Sequence, residues 1–184
     1  MKIKSIKKIS WLEIFSIWKK NEAKNPAWIK HYQKKGFKTW AAWRKIYIKP
    51  LKLNKLEWQI GTLVNPLTTV PNFYGGPFKA WQKNFYKKIV RTEHCSVPTN
   101  TPKFKELAKL AEIKNNERFK ELINDFPKNT TLIALKINKK IIIIEGMHRC
   151  TAIALIKNRK KPLNSKISLA IAEYPDIYLP ILGN

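Results

Sequence analysis

Residues 141–156 read IIIIEGMHRCTAIALI, and no other stretch of the chain constrains its fold as tightly. Four consecutive isoleucines are β-branched and apolar on both faces, which suits a strand buried on both sides. Gly146 interrupts the run, and after Arg149 a segment of alanine, isoleucine and leucine is long enough to start a helix. The stretch is therefore expected to form a strand, a tight turn and a helix start. A helix start leaves backbone N–H groups unpaired and carries a partial positive charge, and a glycine there lets a phosphate come close. His148 and Arg149 would stand at the rim of that anion site. The plainer alternative is a strand-to-helix turn with two polar residues in solvent.

Gly146-Met147-His148-Arg149, with Ala152 after it and the isoleucine strand before it, resembles the G-x-x-R signature of the ParB/sulfiredoxin-like superfamily. Sulfiredoxins carry Gly-Cys-His-Arg at this place and chromosome-partition proteins Gly-Glu-Arg-Arg, and an acid often precedes the glycine, as Glu145 does. The likeness covers about residues 130–174; residues 1–57 lie outside it. It implies a nucleotide-binding domain whose cofactor is a nucleoside triphosphate, ATP or CTP, with Mg²⁺. The phosphates would be held by Gly146, Met147, His148, Arg149 and Cys150. Glu145 would place Mg²⁺ or act as a catalytic base, or else it would orient Arg149. Phosphotransfer and nucleotide hydrolysis are the activities such a site implies, and the fold by itself does not choose between turnover and binding. Met147 stands where sulfiredoxins have their reactive cysteine. A thioether offers no thiolate, so sulfiredoxin-type reduction is not expected. Cys150, beside Ala152, Ile153 and Leu155, reads as a small buried apolar residue.

The formal net charge of +25 invites a second reading, a non-catalytic DNA-binding or other nucleic-acid-binding protein, because each base that neutralises a phosphate releases a counterion. Lysine dominates that charge and occurs in every segment among many isoleucines and asparagines, a pattern that biased composition also produces. Arginine, the better bidentate phosphate ligand, occurs only at Arg44, Arg91, Arg118, Arg149 and Arg159. Weak, salt-sensitive, non-specific affinity for nucleic acid follows from charge alone. Two distant cysteines give no disulfide framework and fit a reducing, cytoplasmic setting. No run of about 18 apolar residues is present to cross a bilayer. The basic N-terminus is interrupted by Glu13 and lacks a small-residue cleavage site, so it is read as part of the fold.

Residues 1–57 are expected to be a helical, tryptophan-rich extension. Ser10 and Glu13 have the spacing of a capping box, Ile9 and Ile14 that of a hydrophobic staple, and Trp11, Ile14, Phe15 and Trp18 share one helical face. A second helix should start at Asn25-Pro26 and end at Gly36, and a third should start at Thr39 and stop before Pro50. All seven tryptophans lie at or before Trp81. Stripes at this spacing ordinarily dock short helices on a core, although exposed aromatics beside lysines also stack nucleic-acid bases or lie on a membrane surface.

Residues 58–184 are expected to hold the ParB/sulfiredoxin-like domain. A strand over 58–64 precedes the breaker-rich loop NFYGGPF, whose two glycines read as a plain turn or a small anion cradle, and a helix with Phe78, Trp81 and Phe85 on one face. Glu93, His94 and Cys95 lack the second ligand pair that zinc requires. A helix should follow Thr101-Pro102, and another carries Phe119, Leu122, Ile123 and Phe126. A hairpin of 131–137 and 141–144 comes next, then a last strand from Lys166. The fold class is α+β: a small mixed sheet with packed helices, its central strand feeding the GMHR turn, plus the aromatic extension.

Overall fold

The computed structural model describes residues 1–90, 101–176 and 178–183. Strand β1 (Ile3–Ile9) opens the chain and is followed by helices α1 (Trp11–Glu22), α2 (Pro26–Lys34) and α3 (Trp40–Ile48) and by strand β2 (Trp58–Leu63). Short helices α4 (Pro66–Thr69), α5 (Lys79–Asn84), α6 (Phe104–Leu107) and α7 (Ala111–Lys114) lead to α8 (Glu117–Asn124). The chain then runs through β3 (Asn129–Ile137), β4 (Lys140–Glu145), α9 (Met147–Asn158) and β5 (Lys166–Glu173). The fold is α+β, with a five-stranded mixed sheet in the order β1-β2-β5-β3-β4.

Local chemistry sets the helix ends. The Ser10 hydroxyl accepts from the Glu13 N–H while the Glu13 carboxylate accepts from the Ser10 N–H, so two orphan donors of α1 are satisfied reciprocally. The Asn25 side chain caps α2 ahead of Pro26, and the Thr39 hydroxyl caps α3. The faces these helices bury are the aromatic ones: Trp18, Trp40 and Trp43 are each at most 2% exposed. The extension is thus docked on the core, and its stripe is an inward face. α6 begins at Phe104, two residues beyond the expected Thr101-Pro102 start, with Lys103 at its N-cap.

Two expectations about the sheet are corrected. The extension is not wholly helical, because Ile3–Ile9 pairs antiparallel with β2 as an edge strand. Its lysines project from an otherwise open edge, a common device against strand addition. The strand feeding the GMHR turn is also an edge, not the centre. β4 pairs antiparallel with β3 alone, and β5 takes the other side of β3 in parallel after the chain crosses over through α9. The free side of β4 is covered by the NFYGGPF loop, where the Tyr74 N–H donates to the Ile141 carbonyl at 2.8 Å and the Ile143 N–H donates back to Tyr74 at 3.0 Å. This cover is why residues 142–144 are fully buried although they lie at an edge. Among the described residues, no helix is long and apolar enough to cross a membrane.

Candidate functional site: a cavity between the GMHR turn and the aromatic helices

The strand-to-helix turn forms at the carboxyl end of β4 because Gly146 takes a left-handed conformation, φ 101°, that other residues resist. A Cβ at this position would also stand 2.5 Å from the Leu132 side chain. No side chain caps α9. The Cys150 N–H, expected among the phosphate donors, already bonds the Gly146 carbonyl at 2.8 Å, so the first-turn donors are those of Met147, His148 and Arg149. Cys150 itself is fully buried, and burial pushes its thiol pKa well up, as suits an inert apolar filler.

Arg149 is held on two sides. Its Nη1 donates to the Thr130 hydroxyl and its Nη2 to Glu145 Oε1, an i,i+4 pair across the turn. Glu145 therefore does orient Arg149, but with only one of its oxygens. Oε2 is buried and has no hydrogen-bond partner among the described residues. Burial raises the Glu145 pKa, the positive charge of Arg149 works against that rise, and the nearby charge of Glu22 adds to it.

Met147 is buried, and His148 is half-buried in the cavity wall. The imidazole lies against Trp81 at 5.1 Å and Phe119 at 5.5 Å between ring centroids. Its pKa is pushed down to about 3 by burial first, then by the charges of Arg118 and Arg149. It is a neutral ring at physiological pH and brings no positive charge to an anion. The Met147 thioether accepts a hydrogen bond from the Gly76 N–H at 3.2 Å. A Cβ on Gly76 would sit 2.2 Å from the Ile143 carbonyl oxygen, so the double glycine serves a close approach of loop to strand and turn and is not an anion cradle.

A cavity of about 800 Å³ opens at this turn and reaches the aromatic helices. Its lining holds a second carboxylate–arginine pair, whose charges reach Glu145. Glu22, the last residue of α1, accepts from Arg44 Nε at 3.0 Å, Arg44 Nη2 at 2.5 Å and Trp40 Nε1 at 3.1 Å, all on Oε2. The Arg44 guanidinium is 3% exposed and lies within 6 Å of the ring centroids of Trp18, Trp28, Trp40, Trp43 and Tyr47, nearest Trp43 at 4.1 Å. Burial raises the pKa of the Tyr47 hydroxyl beside it. A buried cation is tolerated here because one carboxylate neutralises it and five rings present their negative faces.

Arg118 stands exposed at the wall nearest His148, with no acidic partner among the described residues. Three of the five arginines of the chain, Arg44, Arg118 and Arg149, line this cavity, and among the described residues no lysine does. The turn residues Glu145 to Arg149 thus come together as expected. Glu22, Arg44, Arg118 and Thr130 were not anticipated from the sequence, although the scarcity of arginine in a lysine-rich chain set two of these positions apart, Arg44 and Arg118. Glu93, His94 and Cys95 lie outside the described residues. Among those described, no group of three or more His, Cys, Asp or Glu gathers as a metal site. No protein-family model, curated protein or solved structure matches this chain.

Proposed function

We propose that the cavity binds a nucleoside phosphate of the kind the ParB/sulfiredoxin-like resemblance implies, with its phosphates at the start of α9. The observation that carries the reading is the turn itself, where Gly146 opens α9 with no side-chain cap and the Arg149 fork is held beside it. The concave site there lies within the roughly 300–1,000 Å³ usual for small-molecule and cofactor sites, and its lining sets three arginines, Arg44, Arg118 and Arg149, beside four acids, Glu22, Glu121, Asp125 and Glu145. Arg118 supplies an exposed guanidinium, the N–H groups of Met147, His148 and Arg149 supply donors, and Arg149 supplies a fork held in place by Thr130 and Glu145. Mg²⁺, where it accompanies the phosphates, would draw on the carboxylates that line the cavity, Glu22, Glu121, Asp125 and Glu145, of which Glu145 Oε2 is buried; such sites commonly use one or two carboxylates.

A diffuse nucleic-acid role draws on a different part of the molecule. The lysines of β1, α1 and α2 are on the surface, outside the cavity, so the two activities separate by mutation. A thermal-shift panel of ATP, ADP, CTP and GTP with and without Mg²⁺ should show a raised midpoint for a nucleotide that binds the native state. Arg118→Ala, which alters an exposed side chain, and Arg149→Ala, which removes a charge-assisted contact, should each weaken that binding, the latter by about 2–3 kcal/mol. Unchanged affinity in both variants refutes the phosphate site.

A further inference from the structure

Within the nucleotide reading, on which this step rests, the cavity has two unlike ends. The α9 end offers backbone donors and Arg118, exposed and without an acidic partner among the described residues. At the other end Glu22 pairs with Arg44, and the rings of Trp28, Tyr47 and Phe78 line the cavity. Trp28 and Tyr47 are half-buried and pack on Trp43, at 5.4 and 5.5 Å; Arg44 lies over both rings and Phe78 stacks on Tyr47 at 6.2 Å, so a ligand meets the ring surface that remains outside these contacts. All three bonds to Glu22 fall on Oε2. Oε1 is left without a partner among the described residues, on a side chain that lines the cavity and is 14% exposed. Beside the Asn21 and Asn25 amides, Glu22 Oε1 is an acceptor, so a ligand that pairs with it must bring a donor on a flat ring.

We infer that the helices α1 to α3 form a second subsite, in which a nucleobase lies on the Trp28 and Tyr47 rings and donates an exocyclic amino group to Glu22 Oε1. Adenine, cytosine and guanine carry an exocyclic amino group on a flat ring. Uracil lacks it and flanks its one ring N–H with carbonyl oxygens that a carboxylate repels. Arg44 does not touch the base. It positions Glu22 by taking up the other carboxylate oxygen, and the five rings around Arg44 hold that pair in place. The aromatic extension, outside the resemblance, thereby becomes half of the binding site.

The test is equilibrium binding at physiological salt of ATP, CTP, UTP, inorganic tripolyphosphate, adenosine and cytidine to the full chain and to Trp28→Leu. ATP and CTP should bind at least ten-fold more tightly than tripolyphosphate and than UTP. Trp28→Leu should erase the advantage over tripolyphosphate while leaving tripolyphosphate binding unchanged. The comparison of ligands on the unaltered protein needs no variant, so it stands even where Trp28→Leu folds poorly. Tripolyphosphate or UTP binding as tightly as ATP and CTP overturns the base subsite and leaves the phosphate reading intact. Adenosine and cytidine binding as tightly as their triphosphates, with Trp28 required, supports the subsite and overturns the phosphate reading. No binding by any of the six overturns both.

Discussion

His148 gives the sharpest quantitative test of the site's interior. An unfolded histidine titrates near 6.5, whereas in the folded protein burial between Trp81 and Phe119, with Arg118 and Arg149 close by, pushes the pKa down to about 3. Between those values the unfolded chain binds a proton that the folded chain refuses, so stability is complete above about 6.5 and is lost as pH falls toward 3. The linkage slope is about 1.4 kcal/mol per pH unit, so acidification from pH 7 to pH 5 should cost about 2 kcal/mol through this one group. For a domain of this size that is about 4–8 °C in midpoint. Glu145 works in the opposite sense, because its raised carboxyl pKa makes stability fall as pH rises above 4.5, and His31 adds a smaller depression of its own. Urea unfolding at both pH values, on the parent and on His148→Phe, isolates the wanted part, because these other titrations appear in both proteins and cancel. The parent should lose about 2 kcal/mol more than the variant on acidification. Equal losses would show that the imidazole is solvated and free to charge, which would refute its placement between the rings.

The Glu22–Arg44 pair offers a second test: Glu22→Ala strands a buried guanidinium and should cost about 3–5 kcal/mol, while adding Arg44→Met should return most of it in a double-mutant cycle read by denaturant unfolding. The surface lysines offer a third. Affinity for random single- and double-stranded DNA should collapse between low and physiological salt and should be unchanged by Arg149→Ala, and a complex that survives high salt with sequence preference would move the lysine surface to first place.

The elements legible in the sequence were those fixed by neighbours along the chain. Ser10 and Glu13 are three residues apart, Asn25 adjoins Pro26, and a turn at Asn138 and Lys139 closes the β3–β4 hairpin. β1 escaped because its isoleucines, Ile3, Ile6 and Ile9, recur every third residue, which is neither a strand's period of two nor a buried run. A bulge explains the spacing. The register with β2 shifts between Lys4 and Lys7, and Ser5 takes φ 54°, so the alternation that marks a strand is broken midway. The position of β4 at an edge was also out of reach. Pairing order depends on where β5 lands after α9, and nothing in the isoleucine run records that a loop, not a strand, will cover its outer side.

The site was half legible for the same reason. Glu145 to Arg149 is one continuous peptide, so its strand, turn and first helical turn could be read directly. Glu22 and Arg44 meet only because α1 and α3 pack together, and no local pattern announces a contact 22 residues apart. Composition did carry a clue. In a chain with 37 basic and 12 acidic residues, selection for charge alone is met by lysine anywhere on the surface. Lysine cannot replace an arginine that holds fixed partners through two separate donors, as Arg149 holds Thr130 and Glu145, or that lies over rings, as Arg44 does, because its ammonium is a compact, strongly hydrated point. Arginine at Arg44 and Arg149 therefore marks positions where geometry, not charge, is required, and the acids opposite them are two of the few the chain carries. Each pair commits one carboxylate oxygen to its arginine; the other oxygen of Glu145 is buried without a partner among the described residues, and Glu22 is 14% exposed in the cavity lining. Two anchored acids with spare acceptors are costly to keep in a protein interior unless matching donors complete them.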